Sequence, residues 1–184
     1  MGKIKLPQPV KLVVGFIFSE EEIFTEAKER FVEKYGEIDF ESQSLFFKYT
    51  NYYRKEMGEN LFRKFLSFKK LIRPEEIVEV KLFSVEVERS FYLPGTEKRR
   101  VNIDPGYLTL SKLVLVTTKN FAHRIYLDKG VYAEVTLRYL RGEGFVPWEW
   151  TYPDYRSRDY LEIFNKLRSS YKKQILQNAN KDTG

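Results

Sequence analysis

The sequence predicts an α+β fold: a ferredoxin-like antiparallel sheet with two helices on one face, then a C-terminal β-meander and a closing helix. Three observations carry this. Between residues 9 and 104 the hydrophobic patterns run strand, helix, strand, strand, helix, strand, the order of that sandwich. Two helix starts, SEEE at 19–22 and PEE at 74–76, fall where the order needs them. A chain of 184 residues can bury most of the surface its unfolded form exposes, and with no cysteine it must hold its core by packing alone.

The elements follow in order. VKLVVGFIF, residues 10–18, is a continuous apolar run rich in valine, the pattern of a central strand covered on both faces. SEEE then forms a capping box, with Ser19 and Glu22 satisfying each other's amides. Ile23, Ala27 and Phe31 recur at helical spacing, and Gly36 suits the left-handed position that ends the helix. EIDFESQSLFFKY (37–49) and LFRKFLSFKKLI (61–72) alternate in part and read as an antiparallel pair of strands, with TNYYRKEMGEN as an irregular connection. Pro74 with Glu75 and Glu76 opens a second helix, proline and acids both suiting a first turn; alternation at Val78, Val80 and Leu82 leaves a strand as the alternative. After the turn LPGTEKRR, RRVNI is the fourth strand, and Pro105-Gly106 suits a tight turn.

The remainder is an elaboration from 105 to 176. It holds a short helix or strand at 109–118, a hairpin at Asp128-Lys129-Gly130, and a strand around FVPWEWTY. A last helix has an apolar face of Leu161, Phe164, Leu167, Tyr171 and Ile175. Alternation places Trp148, Trp150 and Tyr152 on one face, expected to pack against that helix. Residues 1–176 are expected to form one compact unit, and 177–184 a disordered tail.

Composition excludes much chemistry. No cysteine means no disulfide, thiolate zinc site or cysteine nucleophile, and a single histidine rules out paired-imidazole sites within one chain. The N-terminal apolar run, Leu12 to Phe18, is too short to span a membrane and has no small-residue cleavage site, so a cytoplasmic protein is expected. Charged residues make up 32% of the chain, a pattern compatible with a heat-adapted organism. Net charge is +6, and Pro94–Arg141 carries nine Lys and Arg against four Asp and Glu, whereas Ser19–Gly36 carries six Glu against three basic residues. A basic segment attracts phosphates and anionic partners, or is simply solvated surface.

The stretches PVKLVVGFIFS, KFLSFKKLI, RRVNIDPGYLTLSKLVLVTTKNFAHRIYL, GVYAEVTLRY and WTYPDYRS resemble the bacterial family known as domain of unknown function 4416, over nearly the whole chain. Some members of that family carry the automatic label "GTP-binding protein". The residues do not support that label by motif: GxxxxGK[ST] is missing, and Gly95-Thr96-Glu97-Lys98 lacks both the upstream glycine and the following hydroxyl.

Six residues are candidates for a site. Asp104, forced toward an extended conformation by Pro105, is a general base or metal ligand, or else the head of a local Asx turn. His123 and Arg124 stand side by side before a predicted strand. They read as an acid/base group and an anion clamp, but share one pocket only if the strand starts after them. Glu134 points away from its apolar neighbours toward a polar cavity or solvent. Lys112 and Tyr107 complete a ligand-binding set, with Asp104 and His123 in the catalytic roles, no metal ligands assigned and the cofactor unknown.

Two functions of different class fit. One is a site that binds, and acts on, a phosphorylated or nucleotide-like small ligand, with Asp104, His123 and Arg124 converging at one sheet edge. The other is a non-catalytic RNA- or protein-binding module that uses the basic and aromatic surface. A concave pocket favours the first, and a flat basic face with exposed Tyr and Trp favours the second. No membrane partner is expected, and the oligomeric state is left open.

Overall fold

The computed structural model describes residues 2–49 and 53–181. Strand β1 (Lys11–Phe18) is buried along its whole length. It is followed by α1 (Glu21–Tyr35), β2 (Ile38–Glu41), β3 (Leu45–Phe46), a short α2 (Arg54–Met57) and β4 (Phe62–Phe68). A 3-10 turn (Pro74–Glu76) leads into α3 (Ile77–Ser90), then β5 (Val101–Leu108), β6 (Lys112–Thr117), β7 (Ile125–Asp128), β8 (Val131–Leu140) and β9 (Gly144–Pro147). A second 3-10 turn (Asp154–Arg156) precedes α4 (Arg158–Lys181). One sheet runs in the order β2-β4-β1-β5-β6-β8-β7, with β3 beside β4 and β9 beside β8. Every pairing in it is antiparallel.

The continuous burial of β1 has a direct cause, since helices cover both faces of the sheet. Its even positions, Leu12, Val14, Phe16 and Phe18, join one core with Ile23, Phe24, Ala27 and Phe31 of α1 and Ile77, Val80 and Val87 of α3, so both helices lie on the same face. Val13 on the other face joins Phe65, Leu108, Leu113 and Leu137 beneath Tyr160, Ile163, Phe164, Leu167 and Tyr171 of α4. Strand alternation thus sends the even residues of one run into one core and the odd Val13 and Ile17 into two clusters on the other face.

Several expectations are corrected. The start of α1 is capped by the backbone of Glu20, with no side-chain cap bond, so the Ser19 capping box does not form. Of the two alternatives left for 109–118, the strand forms, as β6 over Lys112–Thr117. β8 returns between β6 and β7, so the last strands do not follow chain order as a meander would. Pro105-Gly106 lies inside β5 rather than in a turn. The β5–β6 ladder begins only at Gly106, opposite Leu115, so the missing N–H of Pro105 lies outside it, where a strand tolerates proline. α4 continues through Lys181 where a tail was expected from 177; residues 182–184 of that tail lie outside the described residues. The hairpin at Lys129-Gly130 forms as expected, with positive φ at both residues. No described helix is long and apolar enough to cross a membrane.

Candidate functional site

Two polar clusters occupy the α4-facing side of the sheet. The first is centred on Glu134, only 4% exposed. β7 begins at Ile125, so His123 and Arg124 precede the strand and are free to turn the same way. Arg124 Nε donates to Glu134 Oε2 at 2.8 Å, and His123 Nε2 lies 3.1 Å from the same oxygen. An ionised carboxylate only accepts, so Nε2 carries the hydrogen there. Arg124 also donates to the carbonyl of Lys119 and to the hydroxyl of Tyr152.

Glu134 faces away from Val131 and Ala133, as alternation requires, and an irregularity in β8 brings Leu137 to its side. Leu113 pairs with Leu137 and Val114 with Val135, which leaves Thr136 as an extra residue. Such a bulge resets the alternation, and Glu134 and Leu137 come to the same side. Glu134 therefore lies beneath the segment 148–156. Thr151 Oγ1 donates to the Thr136 carbonyl at 2.6 Å, and Trp150 Nε1 donates to Val135 O at 3.1 Å.

That segment does not extend β9, which ends at Pro147. The expected burial of Trp148, Trp150 and Tyr152 against the last helix is accordingly overturned. Tyr155 and Tyr160 occupy that place, while Trp150 and Tyr152 are 38% and 49% exposed. A turn frees the indoles to stack: Trp148 on Trp150 with centroids 5.0 Å apart, Trp150 on His123 at 6.0 Å, and His123 on Phe121 at 6.2 Å, the rings within 14° of parallel. Arg138 lies over Trp148 at 4.1 Å. A shallow hollow here is bordered by Ala122, His123, Glu149 and Trp150.

The second cluster surrounds Arg63, a β4 residue 2% exposed. Its Nη1 donates to Asp104 at 2.9 Å and its Nη2 to Asp154 at 3.3 Å. The rings of Phe47, Phe65 and Tyr155 surround the guanidinium. Gly15, paired across the ladder with Asp104, makes the room, since a Cβ there would sit 2.7 Å from Arg63 Nη1 and 3.0 Å from the Phe65 ring. Gly15→Ala is therefore expected to destabilise the protein by about 1–3 kcal/mol, the usual cost of overpacking; urea unfolding of the variant measures it, and no loss would show that Arg63 is free to move aside.

The two aspartates on this one guanidinium differ. Burial opposes ionisation of Asp104, but Arg63, and after it Lys81, outweigh it and hold the carboxyl below its ordinary value. Burial pushes Asp154 up, with Arg63 only partly resisting. Opposed shifts in neighbouring carboxyls are the pattern of an acid and a base.

Asp104 does not join His123 and Arg124. It lies two strands away from Glu134, through Gly106 and Leu115, and two residues further along, which is roughly 12 Å by ladder geometry. Tyr107 projects to the opposite face, against the α1–α3 core, where burial raises its hydroxyl pKa. Lys112 is exposed at the start of β6, paired with Arg138 rather than beside Glu134. Three of the six candidates thus converge. Sequence reading missed Arg63, Asp154, Tyr155 and Tyr160. The available signal was a glycine interrupting β1, a place where some other group must approach closely.

No group of three or more potential metal ligands occurs among the described residues. Over residues 8–171 the chain matches the family described as "Domain of unknown function (DUF4416)". No curated protein and no solved structure matches it.

Proposed function

The chain belongs to the domain of unknown function 4416 family, and we propose that it is a binding module for single-stranded RNA whose bases stack on the aromatic column. The observation that carries this is Trp150, partly open to solvent between His123 and Trp148, with Phe121 51% exposed at the column's end. Parallel rings with an accessible face suit unpaired bases of any identity. Arg138, exposed over Trp148, and the excess of Lys and Arg between Pro94 and Arg141 supply the attraction for phosphates.

The other reading, a phosphorylated small ligand clamped by Arg124 while Asp104 and His123 handle a proton, asks for an available guanidinium and a hollow. Arg124 is already engaged by Glu134, Lys119 and Tyr152, and the hollow is shallow.

In the same reading, residues 9–104 are a ferredoxin-like unit, supported by the order β2-β4-β1-β5 with α1 and α3 on one face, and the protein works in the cytoplasm.

Fluorescence anisotropy with a labelled single-stranded RNA tests the binding. Affinity is expected to fall steeply with added salt. Trp150→Ala should weaken it by about 1–3 kcal/mol, the worth of one stacked base. Salt-independent binding, or equal affinity in the variant, would refute the reading.

A further inference from the structure

Two parts of the chain offer strand-forming groups that the fold does not use. β7 ends the sheet and pairs with β8 alone, so among the described residues no strand meets its outer edge. Natural edges are guarded by lysine, proline or a bulge. Here an irregularity between Tyr126 and Asp128 is the guard, and it limits the edge to a short partner. Ile125, Tyr126 and Leu127 are consecutive apolar residues on that edge, 73%, 56% and 39% exposed, a patch of the kind that marks an interface. The other part is the arm of residues 2–9, exposed and without secondary structure ahead of Val10. In it Lys3, Ile4, Lys5 and Leu6 alternate charged and apolar, the pattern of a half-buried strand, yet Ile4 and Leu6 are almost wholly exposed.

The two match in length, direction and charge. Pro7 cannot donate to a ladder, so pairing of the arm ends at Leu6, and Lys3–Leu6 has the four residues of β7. Set antiparallel to β7, Leu6 stands opposite Ile125, Lys5 opposite Tyr126, Ile4 opposite Leu127 and Lys3 opposite Asp128. Apolar meets apolar twice, one ammonium meets an aromatic ring and the other a carboxylate, all favourable cross-strand pairs. A parallel alignment that keeps the apolar pairs puts Pro7 opposite Asp128 and loses the charge match. Antiparallel addition also continues a sheet that is antiparallel throughout.

A chain cannot fill its own edge in this way. In the order β1-β5-β6-β8-β7, a strand added outside β7 lies five strand spacings from β1, about 24 Å. Leu6 is four residues from Val10, at the start of β1, and that length of chain reaches at most about 14 Å. We propose that the β7 edge is the docking site for the arm of a second copy, residues 3–6 of each protomer adding a strand to the other's sheet in a twofold dimer. Reciprocal exchange of this kind closes the assembly, and strand addition supplies its backbone hydrogen bonds. The dimer does not depend on RNA binding.

Sedimentation of the full chain over a range of concentrations tests the proposal, and a dimer is expected. Ile4→Ser with Leu6→Ser, and separately Ile125→Lys, should each raise its dissociation constant roughly tenfold or more, the worth of burying an aliphatic side chain. All three residues are exposed in the single chain, so the variants should keep the parent's circular dichroism. Asp128→Lys should weaken the dimer, and adding Lys3→Glu should restore it. The chain has no cysteine, so a disulfide reports the register. Protein carrying Ile4→Cys, mixed with protein carrying Leu127→Cys, should give a disulfide-linked dimer on oxidation that neither gives alone. A monomer at every concentration, or a dimer that keeps its affinity through these substitutions, would overturn the proposal. So would a disulfide dimer from either protein by itself that the mixture does not exceed, which would show two arms or two β7 edges meeting instead.

Discussion

Replacing Glu134 by Ala is expected to lower the unfolding free energy by about 3–5 kcal/mol, the usual cost of leaving one partner of a buried ion pair behind. The side chains of Glu134 and Arg124 are each 3% accessible, so the guanidinium would lose its counter-charge where water cannot replace it. His123 would lose its acceptor in the same step, and with it the bond that orients one of the two inner rings of the aromatic column. For a domain of this length that loss corresponds to roughly 6–20 °C in Tm. Glu134→Gln keeps the shape and an accepting oxygen, so it should fall between Ala and the parent. Pairing Glu134→Leu with Arg124→Leu removes both charges and should recover much of the loss, as buried pairs replaced by apolar residues often do. Denaturant unfolding of the set is the measurement. A Glu134→Ala cost below about 1 kcal/mol, typical of exposed pairs, would mean that Arg124 escapes to solvent.

The prominence of Glu134 was only half legible in the sequence. His123 and Arg124 were visible as neighbours whose joint use required β7 to start after them, and it does. The burial of Glu134 was hidden, because alternation along VYAEVTL sets it opposite Val131 and Ala133 without saying what covers that side, and the extra residue at Thr136 that brings Leu137 to it breaks the count. A bulge is a tertiary compromise with a neighbouring strand, and no local pattern announced this one. The main sheet was easier to read, since eight consecutive buried residues in β1 and two amphipathic helices are local signals that tertiary contacts reinforce. Where the same local logic met WEWTY it failed. Alternation was read as strand, yet Arg156, bonded to the carbonyls of Trp148, Glu149 and Thr151, gathers the segment into a turn.

The Arg63 cluster was illegible for a different reason, its three charges being separated by 41 and 91 residues. In FRKFLSF nothing local marks Arg63 as buried, and only α4 and the 3-10 turn at 154–156 place it indoors. Its electrostatics yield the other large prediction. Asp104 is held below its ordinary pKa in the folded protein, burial opposing but Arg63 prevailing. The stability it contributes is therefore present above the unfolded carboxyl pKa and lost as pH falls through the folded value. Asp154 is raised, chiefly by burial, so its contribution has the opposite sign: present at low pH and lost as pH rises through its folded value. Arg63 stabilises the ionised form of both. Arg63→Met removes that support while keeping an apolar stem of similar length, leaving two carboxylates to repel each other with little water. We expect a loss of about 3–5 kcal/mol at pH 7. The deficit relative to the parent should shrink between pH 7 and pH 5, because both aspartates in the variant then take up protons more readily than in the parent. Adding Asp104→Asn and Asp154→Asn to Arg63→Met should restore most of the stability at pH 7 and abolish the pH dependence of the deficit. Urea unfolding of the three proteins at both pH values reads all of this. A deficit of equal size at pH 5 and pH 7 would show that the guanidinium stabilises the fold through its packing among Phe47, Phe65 and Tyr155, with no measurable part played by its charge.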